Sequence, residues 1–526
     1  MIFKRGYLAV LLSLLTITGC GGGSGSESDD TTQDPQAAVI NAIDVTGAWA
    51  EGETLTASVN CTECLPSMNK YKWSIDGNNI SDTNSYLLTS ADLDKKIRID
   101  ASASNSANLI DNAYQTIEAE YKSHVTHIYA NARAFAALKS DGSVVTWGES
   151  STGGDSANVA LTDVSKIFSN DGGFAALNND GSVSSWGLLP APDSVNLLLT
   201  DVKEIYATDY AFAALKEDGT VITWGSADHG GDSSSVTLDD VTRIYATTSA
   251  FAALKDNGSV VTWGEDNRGG NSSGVNLENV EEIYATSTAF AAHKTNGSVI
   301  TWGGDNFANS ESVIVENVNE VFVNSSAFAF LKTDNSVETW GHIDYGGVSD
   351  DIPLNNTAKI FSTNAAFAAL KTDGSVVTWG NDNSGGDSSN VTLNDVTTIY
   401  ANAFAFAALK ADGTVITWGI STRGGDSSAV DLTNIVKVYS TLDAFAALKT
   451  DASIITWGET NSGSDSSTID PNNIVDIYST NNAFAALKQD GTVVTWGHSD
   501  YGGNSSMVAD NLLPTVEIIV SDTNLP

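Results

Sequence analysis

From about residue 122 onward, apolar and polar positions follow a pattern that returns every 38 or 39 residues, ten times over. Ten tryptophans mark it, from Trp147 and Trp186 to Trp457 and Trp496. A phenylalanine stands 12 residues before each, and a Tyr or Phe stands six residues before that. Neither offset varies, so each unit has a part of fixed length and a loop after the Trp that absorbs the change in period. In the seventh copy the pattern predicts a short apolar strand over Lys359–Ser362 and a second strand over Ala366–Lys371, alternating small and large side chains. Asp373-Gly374 then reads as a hairpin turn into a third strand over Val376–Trp379, because Gly supplies positive φ without strain. Three short antiparallel strands per unit are expected, and Val391-Thr392-Leu393 leaves a weak fourth open. Gly380 lets the chain leave the sheet. Two copies break the turn rule, with Asn335 and Ala452 in place of the Gly. Ala in the left-handed region costs roughly 1–2 kcal/mol, so the array must hold that turn.

A three-stranded unit cannot bury both faces. Neighbouring units must pack sheet on sheet and bury the Phe, Trp and Ala-Ala-Leu columns against each other. The fold class expected is all-β: ten blade repeats in a propeller-like ring, or an open superhelix, preceded by an N-terminal β-sandwich. The usual ring has four to eight blades, so one wide ring, two smaller rings and an open stack all stand at this point. Even spacing counts against two rings. Val516–Val520 reads as an eleventh first strand, placed to complete a blade begun at the other end.

The hairpin segments, such as Leu370-Lys371-Thr372-Asp373-Gly374-Ser375-Val376-Val377-Thr378-Trp379-Gly380, resemble the regulator of chromosome condensation repeat, in outline A-L-x-x-D-G-x-V-x-x-W-G. The resemblance covers about residues 122–520 and implies a β-propeller. This chain carries Gly-Gly-Asp-Ser-Ser where the eukaryotic repeats carry Gly-Gln-Leu-Gly, and Asn364-Ala365-Ala366-Phe367 where they carry Gly-x-x-His-Ser. It is closer to the short-repeat bacterial members, one of which is a pure binding propeller. Nucleotide exchange and chromatin binding do not carry over, because the loops that perform them do not match.

Ahead of the array, residues 1–20 read as an export signal: Lys4 and Arg5, then an apolar Leu8–Leu15 too short to span a bilayer. Ile17-Thr18-Gly19-Cys20 resembles a bacterial lipobox, which makes Cys20 the lipidated residue and the lipid the only membrane contact. Gly21 after it carries no inner-membrane retention signal, so the outer membrane or cell surface is expected. Residues 21–37, rich in Gly, Ser and Asp, form a flexible tether with a reach on the order of 20–25 Å. Residues 38–120 alternate as short strands around Trp73 and resemble the immunoglobulin-like modules of bacterial surface proteins. Cys61 and Cys64 lack further metal ligands nearby and are expected to close a small loop as a disulfide after export.

The formal net charge is −40 over 526 residues. Such a surface repels nucleic acid. It also raises cation binding: the loops after the Trp place Asp155, Asp232, Asp387 and Asp426 at equivalent positions, with Asp465 similar. Ca²⁺ wants six to eight oxygens, so one Asp per loop makes a site only where loops converge. The alternative is a tight turn in which Asp caps local amides. No phosphate loop, serine elbow or His-Glu-x-x-His motif occurs, and His293 reads as a packed residue in the Leu column. Candidate partner-binding residues stand where loops break pattern: Leu188 and Leu189 in copy two, Phe307 in copy five and Tyr345 in copy six. The expected function is a surface lipoprotein that binds a protein or glycan partner without catalysis. Two alternatives stand: a hydrolase with two carboxylates at the ring centre, and a Ca²⁺-stabilised structural array.

Overall fold

The computed structural model describes residues 37–523 apart from 48–53, 90–91, 93–94, 108, 189–198, 305–314, 350–351 and 514. Cys20, the signal and most of the tether lie outside the described residues, as do Leu189 and Phe307. Two compact units form: Ser123–Pro514, and the N-terminal residues together with Thr515–Pro526.

Each copy in the larger unit folds as its own three-stranded antiparallel sheet. Copy seven has strands Thr357–Ser362, Ala366–Lys371 and Val376–Gly380. The period-2 alternation sends alternate side chains of the middle strand into its two seams. Phe367 and Trp379 face one another across the sheet and stack at 5.2 Å. Each of the ten phenylalanines of this column is fully buried. Each seam carries its own core cluster, such as Phe406, Trp418 and Ile399 of blade eight against Ala366, Ala368 and Leu370 of blade seven. The three-strand reading holds and no fourth strand forms in this copy: Val391 and Leu393 pack against that cluster from a turn in which Val391 N–H donates to Ser388 O.

The ten blades close into one ring. First strands touch first strands all the way round, the last touching the first. Val125, Ile128 and Phe135 share a cluster with Ala483 and Ala485 of blade ten, and Trp147 donates across the joint to Gly502 O at 3.0 Å. Closure uses no shared strand, which corrects the reading of Val516–Val520. The strand Thr515–Thr523 instead joins the N-terminal sheet, beside Ile110–Ser123. The ring therefore ends near residue 514 rather than at 526.

The loops after the Trp are interblade latches. In copy seven a short 3₁₀ turn, Asp382–Ser384, is capped by left-handed Gly385 at φ +94°. The Gly385 carbonyl accepts the Trp418 indole N–H of the next blade at 3.0 Å. Among the described residues eight seams make this bond at 2.9–3.1 Å. Copy two carries Leu188-Leu189-Pro190 there, and Trp224 Nε1 of blade three is buried without an acceptor among the described residues. Thr378 Oγ1 ties the same loop down through Gly386 O at 2.9 Å and Ser388 at 3.0 Å. Its counterparts in the two divergent copies, Ser185 and Thr301, are buried and unpaired among the described residues. At the turn lacking Gly, Ala452 adopts φ +62°. Ala452 N–H to Lys449 O and Ile474 N–H to Ala452 O, both 3.0 Å, hold it.

The five loop aspartates serve these turns. Asp387 Oδ1 accepts the Ser389 backbone N–H at 2.8 Å, and Asp155, Asp232, Asp426 and Asp465 make the same bond at 2.9 Å. Asn271 and Asn504 make it too, at 3.0 Å, so the turn uses an acceptor oxygen rather than a charge. Among the described residues no three metal-ligating side chains converge. Asp387→Asn is accordingly expected to melt with the parent, and Asp387→Ala below both. A chelator-dependent fall in the melting midpoint would return the charge to a cation role.

The smaller unit is a β-sandwich. One sheet contains Val39–Thr46, Thr54–Thr62 and Ser85–Leu87. The other orders Thr515–Thr523, Ile110–Ser123, Ile97–Ser104, Lys70–Ile75 and Asn78–Ser81. Trp73 lies fully buried between them with Ile40, Leu55, Ile97 and Ile99, its indole N–H donating to Thr83 O at 3.0 Å. Cys61 and Cys64 are disulfide-bonded with Cα atoms 5.9 Å apart.

Candidate binding face at the channel mouth

The first strands line the channel, and the two ends of the ring differ. At one end stand the Asp-Gly hairpin turns. They are nearly identical: Asp or Asn, then Gly with two exceptions, then Ser or Thr. The acid accepts both the N–H and the hydroxyl of the Ser or Thr two residues on, as Asp373 does from Ser375 at 3.0 and 2.6 Å. These bonds hold Asp373 and its equivalents, such as Asp218 and Asp412, below the usual carboxylate range. The left-handed residue that opens the next blade, such as Asp395 at φ +56°, clasps this turn: Val396 N–H donates to Gly374 O at 3.0 Å.

The other end carries the loops between first and middle strands, together with the 3₁₀ turns. A Thr or Asn frames every such loop. Thr363 Oγ1 accepts from Ala366 N–H at 3.0 Å and donates to Ser384 O of the turn at 3.0 Å. Backbone bonds then run from loop to loop along the rim. Asn364 N–H donates to Ala403 O at 3.1 Å, Ala403 N–H to Leu442 O at 3.2 Å, Leu442 N–H to Asn481 O at 2.9 Å, and Asn481 N–H to Ala132 O at 3.0 Å across the closure. The two residues inside each frame are free to differ, and they do. They read Ala132-Arg133, Asp171-Gly172, Asp209-Tyr210, Thr248-Ser249 and so on to Asn481-Asn482, with no pair repeated in ten copies.

These loops carry raised carboxylates. Burial pushes Asp209 up to about 6, with the Asp171 charge adding to it and Arg268 opposing. Burial also raises Asp171, against Arg133, and Asp443, against Arg423. Arg423 pairs with Asp443 at 2.9 Å and lies over the Phe404 ring at 4.1 Å. Arg133 lies over Tyr501 at 5.3 Å. A shallow depression of about 310 Å³ opens on blades five to eight, lined by Thr286, Ser287, Asn324, Ser325, Thr363 and Asn364 among others. Along the channel wall, cross-blade pairs Lys166–Glu204 at 2.6 Å, Arg243–Glu282 at 2.7 Å and Lys437–Asp476 at 3.4 Å set blade against blade.

Raised carboxylates carry a pH signature. Between about pH 4 and 6 folded Asp209 keeps a proton that the unfolded chain has released, so the ring is expected to gain stability as pH falls through that window. The depressed turn aspartates act only below it, where their protonation removes stability. Asp209→Asn should weaken the gain between pH 6 and 4 and leave the acid loss below 4 unchanged. A melting series that shows the same slope in parent and variant would place Asp209 in solvent.

Of the residues singled out by sequence, Leu188 is 62% exposed. Tyr345 is not a free anchor: it packs against the blade-seven core, edge-on to His342 at 5.3 Å, while its carbonyl accepts from Asn324 at 2.7 Å. His293 is half-buried at the Leu position, with Nε2 unpaired among the described residues. Arg133, Asp171, Asp209 and Asp443 went unnoticed. Their signal was available: two hypervariable positions between the framing Thr or Asn and the Ala-Phe of every middle strand, Gly-Phe in copy two.

No known family model matches the chain, and no curated protein matches it. Solved structures similar to it include the ectodomain of the Arabidopsis thaliana receptor kinase ACR4, 19% identical, covering 49% of this chain and 98% of that one with a TM-score of 0.30. Yeast RCC1 (Prp20) bound to Kap60 is 16% identical, covering 52% and 74% with a TM-score of 0.29. BamB from Moraxella catarrhalis is 11% identical, covering 57% and 98% with a TM-score of 0.27. These scores are too low to carry function across, and the ring of blades stands on its own strand pairing.

Proposed function

We propose that this chain is a lipid-anchored bacterial surface protein whose ring binds a protein or glycan partner through the rim at its variable end. One observation carries the reading: within a single chain, ten near-identical frames present ten different residue pairs at one end and nearly the same turn at the other. Folding alone asks for the same residues in each copy, as the opposite end shows. Variable loops on a rigid scaffold are where recognition concentrates. The hairpin resemblance supports a short-repeat bacterial propeller of the regulator of chromosome condensation type. The lipobox-like Ile17–Cys20 supports the anchor, and no described helix is long and apolar enough to cross a membrane. The hydrolase alternative needs shifted carboxylates inside a pocket. Asp171 and Asp209 stand on blades two and three, and the depression opens on blades five to eight, so the two features do not meet.

The test uses single cysteines on the full chain, whose Cys61 and Cys64 are already paired. Leu442→Cys sits on the rim and Ser375→Cys at the opposite end. Each is coupled to a polyethylene glycol maleimide, and binding of the labelled protein to envelope fractions is titrated. Saturable binding blocked only from position 442 is expected. Equal blocking from both positions, or no saturable binding, overturns the reading.

A further inference from the structure

We infer that the depression on blades five to eight is a subsite for an uncharged saccharide. The inference rests on the rim being the binding face and names its ligand class. The chain holds 65 Asp and Glu in 526 residues, yet among the described residues no ionisable side chain lines this depression. Among the variable pairs, charged residues stand elsewhere, on blades one to three and nine. What lines it is hydroxyl and amide. Part of that set is spent on the frame: Asn324 Nδ2 donates to Tyr345 O at 2.7 Å and its Oδ1 accepts from Ser326 N–H at 3.0 Å. Asn402 Nδ2 donates to Arg423 O at 2.6 Å. Fixed in this way, the frame presents Ser287, Ser325 and Asn364, whose side chains make no hydrogen bond among the described residues. Three uncommitted polar groups on three successive blades form an arc of donors and acceptors without charge. That matches the hydroxyls of a neutral sugar ring, which offer both roles at each position. Ala285 and Val323 complete the lining. About 310 Å³ lies at the lower end of small-molecule sites, enough for one ring with the rest of an oligosaccharide along the rim. A charged sugar would meet a strongly acidic protein and no cation in the depression, so uronic and sialic acids are disfavoured.

The full chain is applied to a glycan array of neutral and anionic oligosaccharides, and hits are titrated by calorimetry. At least one neutral oligosaccharide is expected to bind. Its affinity should fall tenfold or more in Ser325→Ala and in Asn364→Ala and hold in Asp218→Asn, at the opposite end of the ring. Because these side chains make no hydrogen bond among the described residues, both variants should melt like the parent, which separates loss of binding from loss of structure. An array empty of neutral hits, a preference for anionic glycans, or affinity unchanged in both variants would overturn the inference. If in those cases envelope binding is still blocked from position 442, the rim remains the binding face and only the saccharide assignment fails. If blocking fails too, both fall.

Discussion

Phe406→Ala is expected to destabilise the ring by about 3–5 kcal/mol, the range for emptying a buried aromatic site. Gly385→Ala should cost a comparable amount for a different reason. Gly385 sits at φ +94°, and a Cβ there would lie 2.6 Å from Phe406 Cδ2. The left-handed backbone costs an Ala about 1–2 kcal/mol, and forcing a methyl against a packed ring adds about 1–3. The two changes share one contact, so they should not add. With the Phe406 ring gone the methyl has room, and the double variant should fall short of the sum by roughly 0.5–3 kcal/mol, as for residues in contact. Denaturant titrations followed by tryptophan emission supply the cycle. Strict additivity would mean that the latch glycine does not rest on the neighbouring blade's ring, and the account of how the blades are joined would fail with it.

That cycle probes a relation only half legible in the sequence. The aromatic columns are read from spacing alone, because a period-2 strand sends Phe367 to the core whatever surrounds it. The Asp-Gly turns are local where Gly supplies the left-handed residue; at Ala452 the clasp from Ile474 N–H holds the turn as well. The latch is not local. Gly385 reads as a turn residue, and nothing near it shows that its carbonyl serves Trp418 in the next copy. Closure was open for the same reason, since contacts between blades one and ten span the whole array. The rim is not legible from the repeat itself. Arg133, Asp171, Asp209 and Asp443 occupy positions defined by failure to repeat, between a framing Thr or Asn and an Ala-Phe or Gly-Phe.

The variability of the rim also gains meaning from the latch. A frame fixed by a backbone belt and by Thr or Asn bonds constrains two residues in position but not in identity. Substitution there changes the surface without disturbing a seam. This separates the stability of the ring from its specificity. Among the described residues the raised carboxylates, Asp171, Asp209 and Asp443, sit in these loops, while those of the opposite end are held low by their own turns.

The second large effect concerns the chain's end. Cutting after residue 514 removes the strand Thr515–Thr523 from the sandwich sheet and leaves every blade with its own three strands. Calorimetry of the full chain should show the ring's transition at the same temperature before and after truncation. The sandwich transition should fall. Loss of a nine-residue strand is a change of a few kcal/mol, and in a unit of this size each kcal/mol moves the midpoint about 4–8 °C. A drop on the order of 10–20 °C follows. The strand Ile110–Ser123 would then present an unpaired edge, which templates pairing between chains, so the truncated protein should associate on heating where the parent does not. The opposite result is as informative. A ring that melts early, with the sandwich untouched, would return this strand to a blade and make closure depend on it.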